Sequence, residues 1–379
     1  MQPVRLTNSI LALTGVFRTL ILAVIIVGNT LPGVCCTSMI VGGRATANGR
    51  PMLWKNRDTD SQHNFVERVA PRHEGEYGYV ALYNAGDSLL SDAWMGMNDA
   101  GFAIMNTASY NLAPDTASLK DMEGRVMSRA LQVCRTVHDF ARLLDTLPKP
   151  LGVQANFGVI DAEGNGAYFE TDDYRYTPFY LHDTDNDVLV RTNYSETGNS
   201  TDGMGYIRCN NARHILAHRI AGGGFVPEDF TEVASRSYWH DLYQKDILAD
   251  TTMHWIVDQD FIPRHSTSAS VVIEGVAPGQ NPRGCTMWTL MGYPGTGHVE
   301  AVTLDNVPAS LRPTLSGWRS EASERSLELR DRYVFPIHRG SGPRYLDLDY
   351  LRTEIPRQRA LSRAAYLRGR QNTIHPHNP

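Results

Sequence analysis

Residues 36–58 read CTSMIVGGRATANGRPMLWKNRD, and this stretch decides the fold that we predict for the chain. Apolar runs near both ends flank Ala-Asn-Gly at 47–49, a composition typical of the turn of a β-hairpin. Residues equidistant from the turn of an antiparallel pair lie opposite each other. With the turn centred on position 47, Asp58 is therefore expected to return close to Cys36.

The residues before this hairpin have the pattern of a secretory leader. Arg5 and Arg18 precede an apolar run at 20–27, and small residues follow in the expected cleavage region. An uncleaved membrane anchor is the alternative, but this apolar run is too short to span a bilayer. We expect cleavage between Cys35 and Cys36, which removes 35 of the 379 residues and leaves a mature chain that begins with Cys36.

A cysteine at the start of a mature chain carries two reactive groups. Its thiol has to lose a proton before it attacks a carbonyl, and the pKa of a free cysteine thiol is about 8.5. The pKa of an α-amine is about 7.7–8.0, so the amine can accept that proton near neutral pH. Position alone also fits an ordinary residue beside a cleavage site, so the nucleophile role of Cys36 depends on the rest of the sequence.

The composition is that of a folded, mildly acidic protein. Hydrophobic residues make up 42% of the chain and the net charge is −5, so nothing indicates nucleic-acid binding. Of the five cysteines, Cys35 leaves with the leader and Cys36 is expected to stay free. The other three can form at most one internal disulfide, which excludes a disulfide scaffold. The sequence also contains no His-Glu-x-x-His or Cys-x-x-Cys metal pattern.

Further hairpins and helices alternate along the chain. Beyond the first hairpin, strands are predicted at 94–98, 102–107, 157–161, 167–171, 269–275, 286–292 and 298–304. Helices are predicted at 125–134, 136–147, 206–220, 227–243 and 320–332. Thr136 opens the second helix with a capping-box pattern. The sum is an α+β chain with long antiparallel sheets and helices packed outside them.

These residues resemble a known superfamily. Cys-Thr-Ser at 36–38, the glycine-containing hairpin and Lys-Asn-Arg-Asp at 55–58 are similar to the start of the N-terminal nucleophile (Ntn) hydrolases that use cysteine. They include choloylglycine hydrolases, penicillin V acylases, isopenicillin-N acyltransferases and a related dipeptidase group. The resemblance covers most of 36–305. It implies a four-layer αββα sandwich, in which two antiparallel sheets are covered by helices.

The resemblance also implies roles for three site residues. The segment Gly-Met-Asn-Asp-Ala-Gly at 96–101 leads to Asn106, where the superfamily has an asparagine of the oxyanion hole. Arg-Thr-Asn at 191–193 is similar to a segment whose asparagine supports the site, which implies Asn193. Arg208 matches an arginine near the nucleophile. An amide side chain is a suitable neutral donor for a tetrahedral oxyanion, although asparagine more often serves in turns and caps.

The hairpin also indicates a role for Asp58. Because it returns Asp58 close to Cys36, the carboxylate is expected to hold the α-amine of Cys36 and so orient the base. One departure from the superfamily lies three residues earlier. Bile-salt hydrolases usually have arginine there, whereas this chain has Lys55 and places its arginine at Arg57. Arginine and lysine are not interchangeable, and this difference argues against a bile-salt hydrolase.

The sequence thus predicts an exported hydrolase that cleaves a linear amide of an N-acylated small molecule. Cys36 attacks the carbonyl, an acyl-enzyme forms, and water takes the acyl group. An acyltransferase, a dipeptidase and a non-catalytic exported binding protein of the same fold stay open as alternatives. No cofactor, metal ion or nucleic acid is expected, and the membrane is contacted only through the uncleaved leader. Homo-oligomerisation is left open.

Three parts are expected along the chain. A signal peptide at 1–35 is removed, the αββα domain follows at 36–310, and a C-terminal helical extension at 311–379 packs on that domain or trails from it. The leader implies export to the periplasm or the extracellular space. The substrate does not follow from the sequence, and neither does the route of cleavage before Cys36, by signal peptidase or by self-cleavage.

Overall fold

The computed structural model describes residues 35–113, 117–338 and 344–374. The predicted leader therefore lies outside the described residues except for Cys35. Among the helices in these ranges, none combines the length and the apolar character needed to cross a membrane. All five cysteines fall within the ranges, and each is a free, buried thiol.

The described ranges contain eighteen strands and six α-helices, besides short 3-10 and π turns. The strands are β1 (Thr37–Val41), β2 (Met52–Asp58), β3 (Asn64–Val69), β4 (Tyr79–Asn84), β5 (Met95–Asn98), β6 (Ala103–Ala108), β7 (Ala155–Ile160), β8 (Gly166–Thr171), β9 (Tyr176–Tyr180), β10 (Val188–Arg191), β11 (Trp239–His240), β12 (Lys245–Asp246), β13 (Trp255–Val257), β14 (Thr267–Glu274), β15 (Thr286–Met291), β16 (Val299–Val302), β17 (Ile337–His338) and β18 (Arg344–Asp347). The helices are α1 (Glu123–Val133), α2 (Val137–Thr146), α3 (Tyr206–Ile215), α4 (Ala217–Gly222), α5 (Glu321–Leu329) and α6 (Leu348–Ile374).

Thirteen of these strands form two large sheets, and every pairing in them is antiparallel. One sheet has six strands in the order β10-β1-β2-β14-β15-β16. The other has seven strands in chain order, β3-β4-β5-β6-β7-β8-β9. The strands of the first sheet come from distant parts of the chain, so its central strand β2 lies between β1 and β14.

Three hydrophobic cores define the layers. The first lies between the sheets and joins Ile40 of the six-stranded sheet to Met105 of the seven-stranded sheet. The second packs α2, through Phe140, on the outer face of the seven-stranded sheet. The third packs α3 and α6, through Cys209 and Tyr366, on the outer face of the six-stranded sheet. The order helix, sheet, sheet, helix confirms the predicted α+β class and αββα architecture.

Most predicted elements are present with small shifts of their ends. The capping box at Thr136 is formed, because its side chain accepts from the backbone of Asp139 and the Asp139 carboxylate accepts in return. The predicted helix at 227–243 is wrong. Only short helical turns occupy it, the chain becomes extended at Ser237, and β11 follows. The strands that were not predicted are β3, β4, β9, β10, β11, β12, β13, β17 and β18.

The first hairpin forms, but its register differs by one residue from the predicted one. Thr37 pairs with Asn56 and Val41 with Met52, so continuing the pattern places Arg57 opposite Cys36. A 3-10 turn at Gly43–Ala45 precedes the predicted turn and shifts the centre of the hairpin. Since strand side chains alternate between faces, Asp58 projects from the other face of β2 than expected.

The last part of the chain contains strands as well as helices. Beyond residue 310, α5 and α6 are joined by other elements that include β17 and β18, which form a small sheet with β13. The helix α6 packs on the six-stranded sheet, and Tyr366 contacts Trp288 there, with ring centroids 5.3 Å apart.

Candidate active site around Cys36

Cys36 lies directly before β1, at the end of the six-stranded sheet. Its side chain is buried, and its Sγ is 3.8 Å from the backbone oxygen of Asp58. Ser38, two residues further along, shares a hydrogen bond of 2.7 Å with the hydroxyl of Tyr168 on the other sheet. Because residues two apart on a strand share a face, the pattern of β1 places Cys36 on the face covered by the seven-stranded sheet.

The carboxylate of Asp58 is completely buried and is bound by three side chains. Its Oδ1 accepts from Thr267 Oγ1 at 2.7 Å and from Asn56 Nδ2 at 3.1 Å, and its Oδ2 accepts from Arg264 Nε at 2.8 Å. Burial raises the pKa of this carboxyl, and the charges of Arg264 and Arg208 act against burial. The backbone of Asp58 thus lies beside the Cys36 thiol, whereas its carboxylate projects from the opposite face of β2, and its role in orienting an amine stays a prediction.

Arg264 is the member of the cluster that sequence reasoning missed. Besides its bond to Asp58, it donates from Nη2 to the backbone oxygen of Cys35 at 3.0 Å. Burial lowers the pKa of its guanidinium, but the charge of Asp58, the thiol of Cys35 and the hydrogen bond to Asp58 together outweigh burial and hold that pKa above its usual value. Arg264 lies in the loop between β13 and β14, where a single arginine has no spacing pattern that could have identified it.

Arg208 reaches the same place from α3. Its Nη1 donates to the backbone oxygen of Cys36 at 2.6 Å and to Thr37 Oγ1 at 3.0 Å. The helix begins just after Gly205, which has a left-handed backbone with φ of 86°. A Cβ on Gly205 would lie 2.4 Å from Arg208 Nη2, so the glycine gives the guanidinium the space to lie there.

Asn193 connects Arg208 to the other sheet. Its Oδ1 accepts from Arg208 Nη2 at 2.8 Å, and its Nδ2 donates to the backbone oxygen of Ala108, the last residue of β6, at 2.8 Å. Asn193 is fully buried. Its amide therefore fixes the guanidinium that binds the Cys36 carbonyl.

Asn106, on β6, is held by Lys55 of β2. Lys55 Nζ donates to Asn106 Oδ1 at 2.7 Å and to the backbone oxygen of Trp94 at 3.1 Å. Burial lowers the pKa of Lys55 to about 8, while the nearby thiol of Cys36 acts in the opposite direction. Asn106 is thus held by Lys55, the residue at which the sequence departs from the bile-salt hydrolases.

The carbonyl groups of Cys35 and Cys36 are each bound by an arginine. Arg264 binds the first and Arg208 the second, so the peptide nitrogen of Cys36 lies between two fixed carbonyls. Cleavage before Cys36 would turn this nitrogen into an α-amine, and Arg264 links the Asp58 carboxylate to the carbonyl directly before it. Within the described ranges, no group of three or more His, Cys, Asp or Glu side chains is arranged to hold a metal ion.

A polar groove with a volume of about 980 Å³ opens beside the cluster. Tyr110 lines it, and its backbone nitrogen donates to the backbone oxygen of Asn193 at 3.2 Å. Burial raises the pKa of its phenol, and the nearby thiols of Cys35 and Cys36 raise it further. The other groove residues with charged side chains are Lys120, Asp121, Glu170, Asp172, Arg175 and Asp202.

Comparisons with known proteins find similarity both in sequence and in structure. Residues 44–221 match the model of a family described as acyl-coenzyme A:6-aminopenicillanic acid acyl-transferase. The match confirms the predicted resemblance to the Ntn hydrolases. It covers less than half of the chain and begins after Cys36, so it does not include the candidate nucleophile.

A curated protein from Salmonella dublin, named as a probable dipeptidase, is 22% identical over 269 residues. The matched region is 62% of this chain, and the chain spans 60% of that relative's length. Two solved structures are also similar. A mutant of conjugated bile acid hydrolase from Clostridium perfringens is 10% identical, with a TM-score of 0.44 over 72% of this chain and 93% of that one. Penicillin V acylase from Agrobacterium tumefaciens is 17% identical, with a TM-score of 0.39 over 72% and 87%.

Proposed function

We propose that the mature chain begins at Cys36 and hydrolyses linear amides of N-acylated small molecules through a cysteine acyl-enzyme. The resemblance to the Ntn hydrolases supports the coarser class, amide hydrolysis or acyl transfer. The observation that carries the finer proposal is the convergence of two arginines on the carbonyls that flank the nitrogen of Cys36: Arg264, which is paired with Asp58, binds the Cys35 carbonyl, and Arg208 binds the Cys36 carbonyl. Such a cluster is suited to hold a new α-amine in a fixed position.

In the first half of the reaction, the thiol of Cys36 gives its proton to its own α-amine and attacks the acyl carbonyl. The tetrahedral intermediate collapses when the protonated amine passes that proton to the leaving nitrogen, and the C–N bond breaks. In the second half, the α-amine takes a proton from water, the water attacks the thioester, and the thiol is restored as the acid leaves.

Each remaining side chain has one task in this scheme. Asp58 orients the α-amine, and Arg208, held by Asn193, keeps the Cys36 carbonyl in place. Asn106 donates its amide N–H₂ group to the oxyanion, whose charge has to meet a donor that is already fixed. Arg264, after the leader has gone, keeps Asp58 charged beside the amine.

A dipeptidase is the second candidate, and the polar groove favours it. A peptide has charged ends and polar amides that fit walls carrying Lys120, Arg175 and three aspartates, whereas a long acyl chain requires apolar walls. The probable dipeptidase from Salmonella dublin supports the same candidate. An acyltransferase would use the same acyl-enzyme with an amine in place of water.

We also propose that the chain is exported and that residues 1–35 are removed. The support for this is the leader pattern in the sequence together with the place of Cys36 directly before β1. The removal itself is part of the mechanism, because only a free Cys36 nitrogen can act as the base.

The test combines N-terminal sequencing and intact mass of the exported protein with an activity panel. The panel contains a bile-acid conjugate, an N-acylethanolamine, penicillin V and a set of dipeptides. Turnover of at least one amide by protein that begins at Cys36 is the expected result. Full activity of protein that begins at Cys35 or earlier would refute the amine as base. Binding without turnover by correctly processed protein would refute the enzyme and favour the binding protein.

A further inference from the structure

Lys55 is a buried cation whose hydrogen bonds go to neutral oxygens. Its Nζ contacts Asn106 Oδ1 and the backbone oxygen of Trp94, and its side chain is almost entirely shielded from solvent. Among the ion pairs of the described residues, none includes Lys55. A buried ammonium without a carboxylate partner is costly, so its presence at this point calls for a function.

The chemistry of the two side chains fixes the orientation of the Asn106 amide. A protonated lysine has three N–H donors and no acceptor, so it can bind only the oxygen of an amide. When Lys55 holds Oδ1, the N–H₂ group of Asn106 is the end left to act as a donor. The contact therefore selects one of the two orientations that an asparagine side chain can adopt.

We propose that Lys55 is a positioning residue that orients Asn106 as an oxyanion donor only while Lys55 is protonated. A neutral lysine has a lone pair and can accept from the N–H₂ group, so either end of the amide could then face it. The orientation of Asn106 would be lost together with the proton. This inference rests on the proposed amide hydrolysis and concerns the same site.

The surroundings of Lys55 place its loss of the proton within an accessible pH range. Burial and, to a smaller extent, the charge of Arg57 on the same strand lower its pKa to about 8. The groups that act in the opposite direction are Cys36, Glu123 at the start of α1, and Asp58. Activity is therefore expected to rise as the α-amine of Cys36 loses its proton and to fall as Lys55 does.

The first experiment compares pH profiles of kcat for mature wild type, Lys55→Arg and Lys149→Arg, all beginning at Cys36. An arginine stays charged across the range, so the alkaline fall should disappear in Lys55→Arg. Lys149 is exposed and binds a backbone oxygen of α2, so its variant should keep the wild-type profile. An unchanged alkaline fall in an active Lys55→Arg would overturn the proposal.

The second experiment is a double-mutant cycle between Lys55→Gln and Asn106→Ala. If Lys55 acts through Asn106, the single variants should lose a similar part of kcat, roughly 10²–10³-fold, with KM changed much less. The double variant should then be no slower than Asn106→Ala. Losses that multiply would show that Lys55 acts independently of Asn106 and would refute the proposal.

A third measurement needs no substitution in the enzyme that is titrated. The chain has four lysines, Lys55, Lys120, Lys149 and Lys245, and the last three are exposed. In protein with isotope-labelled lysine, the NMR signal of Lys55, identified by its absence from Lys55→Arg, should titrate near pH 8. A Lys55 signal that titrates above about pH 10 would refute the proposal even if the Arg variant is inactive. If no amide is cleaved by processed wild type, the proposed function fails instead.

Discussion

Two parts of the site hold buried cations in different ways. Around Arg264, the guanidinium is paired with the Asp58 carboxylate at 2.8 Å, and the pKa of this arginine is held above its usual value. Around Lys55, the ammonium meets neutral oxygens, and burial lowers its pKa to about 8. Arg264 therefore stays charged across the working pH range, whereas Lys55 can lose its charge as the pH rises.

This difference teaches that the two cations are suited to different tasks. A permanent charge suits the Asp58 side, where the amine of Cys36 has to be oriented at every stage of the reaction. A titratable charge suits a residue that orients a neutral amide. Removing one partner of a buried ion pair leaves the other charge uncompensated, so substitutions around Arg264 should have larger effects than those around Lys55.

The largest effect is expected for substitutions of Cys36, the residue that both parts surround. Cys36→Ala, produced from a fusion that exposes residue 36 by an added protease, should lose all measurable turnover and keep its fold. Cys36→Ser should keep weak activity at best, because an amine base ionises a hydroxyl poorly. The measurements are steady-state kinetics and thermal unfolding. Wild-type turnover by the Ala variant would contradict covalent catalysis by Cys36.

The next largest effect is expected for Asp58, the carboxylate that is paired with Arg264. Asp58→Asn should lower kcat by roughly 10³–10⁴-fold, as expected for the loss of a carboxylate that orients a catalytic base, and should alter the pH dependence of kcat/KM. It should also lower the free energy of unfolding by roughly 3 kcal/mol, since Arg264 would lose its buried partner.

Asp161→Asn is the matched control for Asp58. Asp161 is also a buried carboxylate, but it binds the backbone nitrogen of Val137 and the side chain of Asn165, away from Cys36. Its variant should be less stable with an unchanged pH profile. Overlapping profiles and similar rates for Asp58→Asn and wild type would show that Asp58 does not orient the base.

A smaller effect is expected for Asn106, the asparagine that Lys55 holds. Asn106→Ala should lower kcat by roughly 10²–10³-fold with little change in KM, since it removes one fixed donor to the oxyanion. The control is Asn98→Ala, because Asn98 is a buried asparagine that binds backbone oxygens of Leu131 and Cys134. A change confined to KM in the Asn106 variant would assign Asn106 to substrate binding.

The sequence predicted the sheets better than the contacts within the site. Alternating turns and apolar runs predict β1, β2, β14 and β15, because burial between layers requires such runs. The prediction of a helix at 227–243 was wrong, because short turns and a strand bury its apolar residues in two separate clusters, Phe230 in one and Tyr238 in the other. Periodicity reports which residues are buried, and tertiary packing decides the backbone they adopt.

The site was predicted where residues are close in sequence or follow a motif. The hairpin brought Asp58 to Cys36, although a one-residue register shift changed the face from which it arrives. Arg264 could not be predicted, because it joins the site from a loop more than 200 residues away by forming a buried ion pair. Such a pair leaves no spacing in the sequence.

The smallest effect in the comparison concerns the space around Arg208. Gly205→Ala places a Cβ 2.4 Å from Arg208 Nη2 and 2.9 Å from Thr192 Oγ1, in a backbone with φ of 86°. The left-handed backbone alone should cost about 1–2 kcal/mol of stability. The clash should also displace the guanidinium from the Cys36 carbonyl and lower kcat by roughly 10-fold, which kinetics and thermal unfolding can measure separately.

Gly279→Ala separates the two contributions. Gly279 has a similar backbone, with φ of 83°, but a Cβ there would have no neighbour within 4 Å. Both variants should therefore lose the stability that the left-handed conformation costs, and only Gly205→Ala should also lose activity. Equal activity in the two variants would show that Arg208 can shift without harm. In that case Arg208 would stabilise the fold around Cys36, and the fixed charge that the reaction needs would be that of Arg264 alone.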